Sequence, residues 1–443
     1  MTGVEIGALA VVALFVLIYL GMPIGIGMLV VSYFGVAAIR NDAVAFRMAG
    51  AVANDALREY LYAVVPLFVL MGLLVTVSGM GRDTFAVFQH ALRRVLAGLG
   101  IATVFANAVF AAITGISIAS ASVFSRVAVP EMARHRYTKR FATGVVAGSS
   151  VLGMLIPPSL LMIVYAVLAE ESVGRMFLAG ILPGLLLAGM FCLTILLLAK
   201  FRPGFVFAAG AAASGPTEQE AQETLPLARV VAMALPILAL VVLVLGGLYG
   251  GFLNPTEAGA VGAAGALAFA LMRRSLTAGS FWKLLVEAGQ ITVSVLFLIM
   301  AATFFSRMLA LSGLPTAVAD VLLSGPIGPM GFLVIFLATV ILLGCIIDSI
   351  SIMLILLPIA LPVATAAGFD LIWFGVLTVV AVEIGLLTPP FGLSVYTIKS
   401  ALADPDLTVG DIFRGAIPFV GAMIVTLAIL IAFPSISTII ARL

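Results

Sequence analysis

The sequence predicts an all-α polytopic membrane protein with two inverted-topology repeats, each with about five spans, a re-entrant helical hairpin and a Pro-Pro broken helix. Composition, an internal repeat and the placement of basic residues lead to this fold class. Of the 443 residues, 63% are hydrophobic and 9% charged, whereas soluble domains carry roughly 25% charged residues. The apolar runs, such as 11–20 and 235–245, are continuous. They therefore indicate helices, because the strands of membrane barrels alternate apolar and polar residues.

The chain repeats itself at an offset of 232 residues, the difference between Pro255 and Pro23. One matched glycine or proline would mean little, but an ordered series of matches indicates a duplication. The matches are Pro23 with Pro255, Gly27 with Gly259, Ser117 with Ser349, Pro130 with Pro362, Gly153 with Gly385, and Pro157-Pro158 with Pro389-Pro390. We therefore predict a first repeat at 1–201, a solvated linker at 202–227 and a second repeat at 228–443.

The distribution of basic residues indicates that the two halves are inverted. Basic clusters at 93–94 and 134–140 flank a segment whose middle is small and polar, and basic residues next to spans mark the cytoplasmic side. Two bare crossings are possible, but a re-entrant hairpin over about 95–133 fits better. The corresponding segment, about 331–367, has no lysine or arginine on its flanks, which predicts entry from the outside. Inverted repeats of this kind are typical of secondary transporters, with the site near the midplane.

Each predicted hairpin tip precedes a double proline by the same distance. Ser117 and Pro158 are 41 residues apart (158 − 117), as are Ser349 and Pro390 (390 − 349). Prolines inside a helix remove amide donors and break it, so we predict broken helices at about 141–169 and 371–399. The freed carbonyls favour a cation such as Na⁺, and the N-terminus of the following half-helix favours an anionic group. The alternative is that each double proline only bends a span for packing.

Hydroxyl and carboxyl groups near these features are candidate ligands. Ser117, Ser120, Ser349 and Thr388 offer oxygens, although each could bond back to its own helix. The acid Asp348 lies at the second tip and could bind a cation or hold the hairpin's amides. Glu383 lies two residues before Gly385, and acids inside membrane segments are usually functional; a buried ion pair or a water-facing position is the alternative for both acids.

Several motifs resemble those of the large membrane subunit (the M or DctM-type permease) of tripartite ATP-independent periplasmic (TRAP) transporters. The resemblance covers essentially the whole chain, with one departure at Ile116, where a small polar residue is expected beside Ser117. The segments that carry it are 110–122, 129–132, 153–159, 179–184, 254–258 and 385–392.

The resemblance implies a multi-pass protein of the bacterial cytoplasmic (inner) membrane, surrounded by lipid, that works by an elevator mechanism. It would import an organic acid, such as a C4-dicarboxylate, sialic acid or another carboxylate, with Na⁺ as the coupling ion. A periplasmic substrate-binding protein and a small four-helix membrane subunit would be its partners. The implied Na⁺ ligands are Thr114, Gly115, Ser117, Gly153, Asp348, Ser349, Gly385, Thr388 and Pro389. The implied substrate contacts are Ser117, Ser120, Ser349, Pro158 and Pro390.

Other functions have less support in the sequence. A stand-alone dicarboxylate or anion symporter or exchanger of the same architecture is the alternative. An enzyme is not expected, because there is no clustered set of His, Glu and Cys residues, and a channel suits two gated hairpins less well. No nucleic acid is expected as a partner. There is no phosphate-binding Gly-x-x-x-x-Gly-Lys-Ser/Thr run, so energy must come from an ion gradient or another subunit.

Overall fold

The protein is almost entirely helical in the computed structural model, which describes residues 1–208, 226–325 and 327–442. The helices of the first half are Gly3–Tyr19, Ile24–Ile39, Asp42–Arg58, Tyr60–Ala63 (a 3₁₀ turn), Val64–Val77, Met80–Leu92, Gly98–Thr114, Ser117–Arg134, Lys139–Ser150, Leu152–Leu155, Leu160–Leu168, Val173–Phe201 and Pro203–Val206. Those of the second half are Leu227–Val241, Val242–Gly246 (a π-helical turn), Gly247–Tyr249, Pro255–Met272, Ala278–Ser312, Leu314–Ser324, Gly328–Gly344, Ser349–Ala366, Leu371–Leu387, Leu393–Leu402, Val409–Ala432 and Ser435–Thr438. The predicted all-α membrane fold class is confirmed. Most of the predicted linker at 202–227, namely residues 209–225, lies outside the described residues.

Seven helices among the described residues are long and apolar enough to cross a membrane, or up to nine if two bent pairs each count as one span. One of these pairs, Lys139–Leu155 with Leu160–Leu168, bends by 41°. Other apolar helices are shorter, such as the 17-residue Gly98–Thr114. Side chains on the outside of Leu227–Tyr249 are apolar, with Leu235 63% and Val242 67% exposed, as a surface in contact with hydrocarbon requires.

Two helical hairpins occupy the regions of the predicted tips. The first hairpin is Gly98–Thr114 followed by Ser117–Arg134, and the second is Gly328–Gly344 followed by Ser349–Ala366. Only two residues, Gly115 and Ile116, separate the arms of the first hairpin. The later arms of both hairpins begin and end at an offset of 232 residues (349 − 117 and 366 − 134).

Two broken helices follow the hairpins. The first broken helix is Lys139–Leu155 with the half-helix Leu160–Leu168, and the second is Leu371–Leu387 with the half-helix Leu393–Leu402. The long arms again match at 232 (371 − 139 and 387 − 155). Both breaks contain the double proline, because a proline supplies no amide to the helix and its ring clashes with an upstream carbonyl.

The hairpins and broken helices of the two halves pack against each other. The later arm of the first hairpin contacts the half-helix of the second half, and the later arm of the second hairpin contacts that of the first half. The side chain of Tyr165 is fully buried and its hydroxyl donates to the carbonyl of Leu371 over 2.6 Å. Glycines at 144 and 415 let the backbones of Lys139–Ser150 and Val409–Ala432 touch. The two hairpins and the two broken helices therefore form one packed body that contains both tips and both breaks.

Candidate ion and substrate site

The tip of the first hairpin docks onto the break of the first broken helix. Gly115 has a φ of +64°, which favours glycine, and a Cβ there would overlap the carbonyl oxygen of Pro158. The amide of Leu160 donates to the carbonyl of Gly115 over 3.3 Å. A Cβ on Gly153 would lie 3.2 Å from the amide nitrogen of Ser117. The predicted ligands of the first half therefore lie together.

The first break leaves backbone oxygens that need partners. Pro157 and Pro158 have no N–H, so the carbonyls of Gly153 and Met154 lose their usual donors four residues on. Ser159 compensates one of them, because its hydroxyl donates to the carbonyl of Met154 over 2.5 Å. The carbonyl of Gly153 keeps its lone pairs for another partner. The first break is therefore built to accept a cation or a hydrogen-bond donor.

The second tip and break meet in a similar way. A Cβ on Gly385 would lie 2.6 Å from the Cα of Gly344, so glycines are required on both sides of this contact. The amide of Phe391 donates to the carbonyl of Cys345 over 3.2 Å, and the amide of Thr388 donates to Gly385 over 3.0 Å. Pro389 and Pro390 supply no N–H to the carbonyls of Gly385 and Leu386, four residues before them. Because Thr388 replaces the donor for Gly385, only the carbonyl of Leu386 lacks its usual donor within this helix.

The hydroxyls fall into two groups. The Thr114 hydroxyl donates to the carbonyl of Phe110 over 3.0 Å, and the Thr388 hydroxyl donates to Ile384 over 2.7 Å. These threonines bond back to their own helices, although their oxygens can still accept or coordinate. By contrast, Ser117 and Ser120 are fully buried, and their hydroxyl oxygens have no partner among the described residues. Buried polar groups are normally paired, so these two oxygens fit a ligand such as Na⁺.

The two acids occupy different environments. Asp348 is exposed and caps the later arm of the second hairpin, because its Oδ2 accepts the amide of Ser351 over 3.1 Å. Ser349 beside it is buried. Glu383 is 2% exposed, and neither of its carboxyl oxygens has a hydrogen-bond partner among the residues described. Of the two roles expected for Asp348, the structure thus shows the one in which it holds a backbone amide of the hairpin. Glu383 forms no ion pair with any described residue.

The two halves of the site differ in exposure. The first tip and break are buried almost throughout, whereas Pro389 and Pro390 at the second break are exposed. Beside them, Ile346 is 62% and Phe391 55% exposed. The second tip and break are therefore the more exposed part of the site.

Sequence reasoning missed three polar residues that the fold buries nearby. Ser394, in the first turn of the second half-helix, has a fully buried hydroxyl without a described partner. Asn107, on the earlier arm of the first hairpin, donates to the hydroxyl of Ser149 over 2.6 Å. The available signal was a serine or asparagine in an otherwise apolar run beside a tip or a break.

Comparisons with known proteins place the chain in a family. The model of the tripartite ATP-independent periplasmic transporter, DctM component, matches residues 11–436. The C4-dicarboxylate TRAP transporter large permease protein DctM of Pseudomonas aeruginosa is 33% identical over 380 residues, with 86% of each protein covered. The sialic acid TRAP transporter large permease protein SiaM of Vibrio cholerae is 28% identical, with 96% of each covered.

A solved structure shares the fold. The YdaH transporter of Alcanivorax borkumensis, whose structure has an unusual topology, superposes with a TM-score of 0.57 at 14% identity, covering 84% of this chain and 86% of that one. This likeness concerns the fold alone. The family match and the two permease relatives extend over nearly the whole length, and permeases of this kind are transporters of the bacterial inner membrane. The chain belongs to the DctM family, the large permease component of TRAP transporters.

Proposed function

We propose that this permease carries an organic acid across the inner membrane by Na⁺-coupled secondary transport, and receives its substrate from a periplasmic binding protein. The substrate class is a carboxylate, such as a C4-dicarboxylate or sialic acid, the compounds named for the two relatives. A small four-helix membrane subunit completes the complex. The tips and breaks move together as one body against the remaining helices, in an elevator motion.

One observation carries the proposal: each hairpin tip meets a double-proline break that leaves oxygens without partners. In the first half these are the hydroxyls of Ser117 and Ser120, together with the carbonyl of Gly153, whose usual donor is missing because Pro157 has no N–H. Na⁺ is a hard cation that prefers such oxygens, and unwound backbone carbonyls hold coupling ions in transporters with broken helices. Thr114, Gly115 and Ser117 at the first tip would contribute ligands together with Gly153. The second half would contribute Asp348, Ser349, Gly385, Thr388 and Pro389.

The half-helices suit the carboxylate of the substrate. Ser159 caps Leu160–Leu168, and Gly392, with a φ of +54°, precedes Leu393–Leu402. Both N-termini follow a break within the body shared by the two halves, and the positive end of a helix dipole favours an anion. Substrate would contact the hydroxyls of Ser117, Ser120 and Ser349 and the turns at Pro158 and Pro390.

Two substitutions and one control test the ion ligands. We expect Ser117→Ala and Thr388→Ala each to raise the Na⁺ concentration needed for half-maximal uptake at least several-fold. Ser125 lies on the same arm as Ser117 and is also buried, but its hydroxyl donates to the carbonyl of Ala121 over 2.6 Å. Ser125→Ala should therefore leave the Na⁺ dependence unchanged. The measurement is uptake into proteoliposomes that contain the permease, the small subunit and the binding protein.

The result that contradicts the ligand assignment is an unchanged Na⁺ dependence in both Ser117→Ala and Thr388→Ala. Full uptake without any binding protein would instead favour the stand-alone symporter or exchanger, while leaving the ion ligands in place.

A further inference from the structure

Glu383 is a buried acid that the proposed transport cycle does not yet use. It lies near the end of the long arm of the second broken helix, is 2% exposed, and has two carboxyl oxygens without described partners. Burying a charge without a partner is costly. The charged form of this side chain therefore calls for a partner.

The duplication shows that the fold itself does not need a carboxyl group at this position. The equivalent residue of the first half, 232 positions earlier (383 − 232), is Val151, which is 1% exposed. An apolar side chain therefore fills the corresponding place in the same kind of helix. The acid at 383 is an addition to a scaffold that works without it, which indicates a function specific to the second half.

Within the described ranges, no protein cation neutralises Glu383. The helices that contact Leu371–Leu387 carry a few basic side chains, and most are engaged elsewhere. Arg175 pairs with Glu171 over 3.3 Å, and Lys399 donates to the carbonyl of Asp404 over 2.5 Å. The ammonium of Lys200 lies over the ring of Phe201, and Arg414 is exposed. In the described part of the chain the carboxyl group forms no ion pair, so a cation that balances its charge has to come from outside these residues.

Helix geometry separates this position from the predicted second-tip ligands. Gly385 and the carbonyl of Val382 lie against Gly344 of the second hairpin. Successive residues turn by about 100° around a helix, so the side chain of Glu383 leaves the helix about 200° from Gly385, on nearly the opposite side. A ligand held by its carboxyl group is therefore distinct from an ion held between the second tip and its break.

We infer that Glu383 holds a third coupling cation, a buried Na⁺ ion, in addition to one ion at each tip. The inference rests on the proposed Na⁺ coupling, taken here as one ion at each tip, and adds a third ion to it. The carboxylate supplies the negative charge that balances the ion. The first half has Val151 at the equivalent position and holds no counterpart.

Equilibrium binding of radioactive Na⁺ to the full chain in lipid nanodiscs tests the inference. We expect about three ions per wild-type chain and about two for Glu383→Gln, which keeps the shape of the side chain but removes its charge. Glu383→Val, which copies the first half, should also bind about two. Melting temperatures of the two variants without Na⁺ that are at least as high as that of wild type would show that the fold is kept, and either variant suffices if the other does not fold.

Different outcomes separate this inference from the proposed function. The same Na⁺ count in wild type and in the folded Glu383 variants would overturn the third site, and would mean that the acid stays protonated. In that case Thr388→Ala would still lose an ion if the tip sites are correct. Absence of Na⁺ binding in the wild type would refute the proposed Na⁺ coupling itself.

Discussion

Gly115→Ala perturbs the first tip at the point where it touches the break. Its φ of +64° costs an L-residue roughly 1–2 kcal/mol. The added methyl group also overlaps the carbonyl oxygen of Pro158, and overpacking of this kind costs about 1–3 kcal/mol. We therefore expect Gly115→Ala to lower the free energy of unfolding by about 2–5 kcal/mol. If the tip moves to relieve the overlap, we expect weaker Na⁺ binding instead.

A second glycine isolates the backbone contribution. Gly21 has a φ of +88°, and a Cβ added there would have nothing within 4 Å of it, so Gly21→Ala incurs the conformational cost without a clash. Denaturant unfolding in mixed micelles, followed by tryptophan fluorescence, compares the two variants, and Na⁺ titration measures binding. Equal losses of stability, together with unchanged Na⁺ affinity in Gly115→Ala, would refute the docking of the tip onto the break.

Two further predictions concern contacts between the halves. A Cβ on Gly144 overlaps the backbone of Gly415, whereas Gly189 has open space around it; Gly144→Ala should lower the free energy of unfolding by about 1–3 kcal/mol, and Gly189→Ala should not lower it. The hydrogen bond from Lys139 lowers the pKa of Asp404 below its ordinary value. This pair therefore adds stability above the ordinary pKa and loses it as the pH falls through the lowered one. Thermal unfolding between pH 7 and pH 3 should show a smaller decline in Asp404→Asn than in wild type, and an equal decline would contradict the pairing.

Much of the fold follows from local chemistry and could be predicted from the sequence. Continuous apolar runs required membrane helices, and the double prolines required breaks, because no helix can bond through two residues without N–H groups. The described helices are interrupted at Pro157-Pro158 and at Pro389-Pro390. The opposite entry sides of the hairpins remain a prediction from the charge distribution.

The state of individual side chains could not be predicted, because it depends on packing between distant segments. Thr388 and Ser117 are both hydroxyl residues beside a break or tip, yet one bonds to its own helix and the other has no partner among the described residues. The sequence likewise marks Glu383 as an acid in an apolar run but does not reveal whether a basic residue of another helix reaches it. The need for glycine at 385 comes from Gly344, which is 41 residues away in the chain (385 − 344).

The central claim is that this permease couples the movement of an organic acid to Na⁺ through the two tips and breaks. The most direct measurement is uptake of a carboxylate ligand of the partner binding protein into proteoliposomes, with and without an inward Na⁺ gradient. The permease and small subunit are reconstituted together, and the loaded binding protein is added outside. We predict accumulation only when the Na⁺ gradient and the binding protein are both present. Equal accumulation when K⁺ replaces Na⁺ would contradict the account.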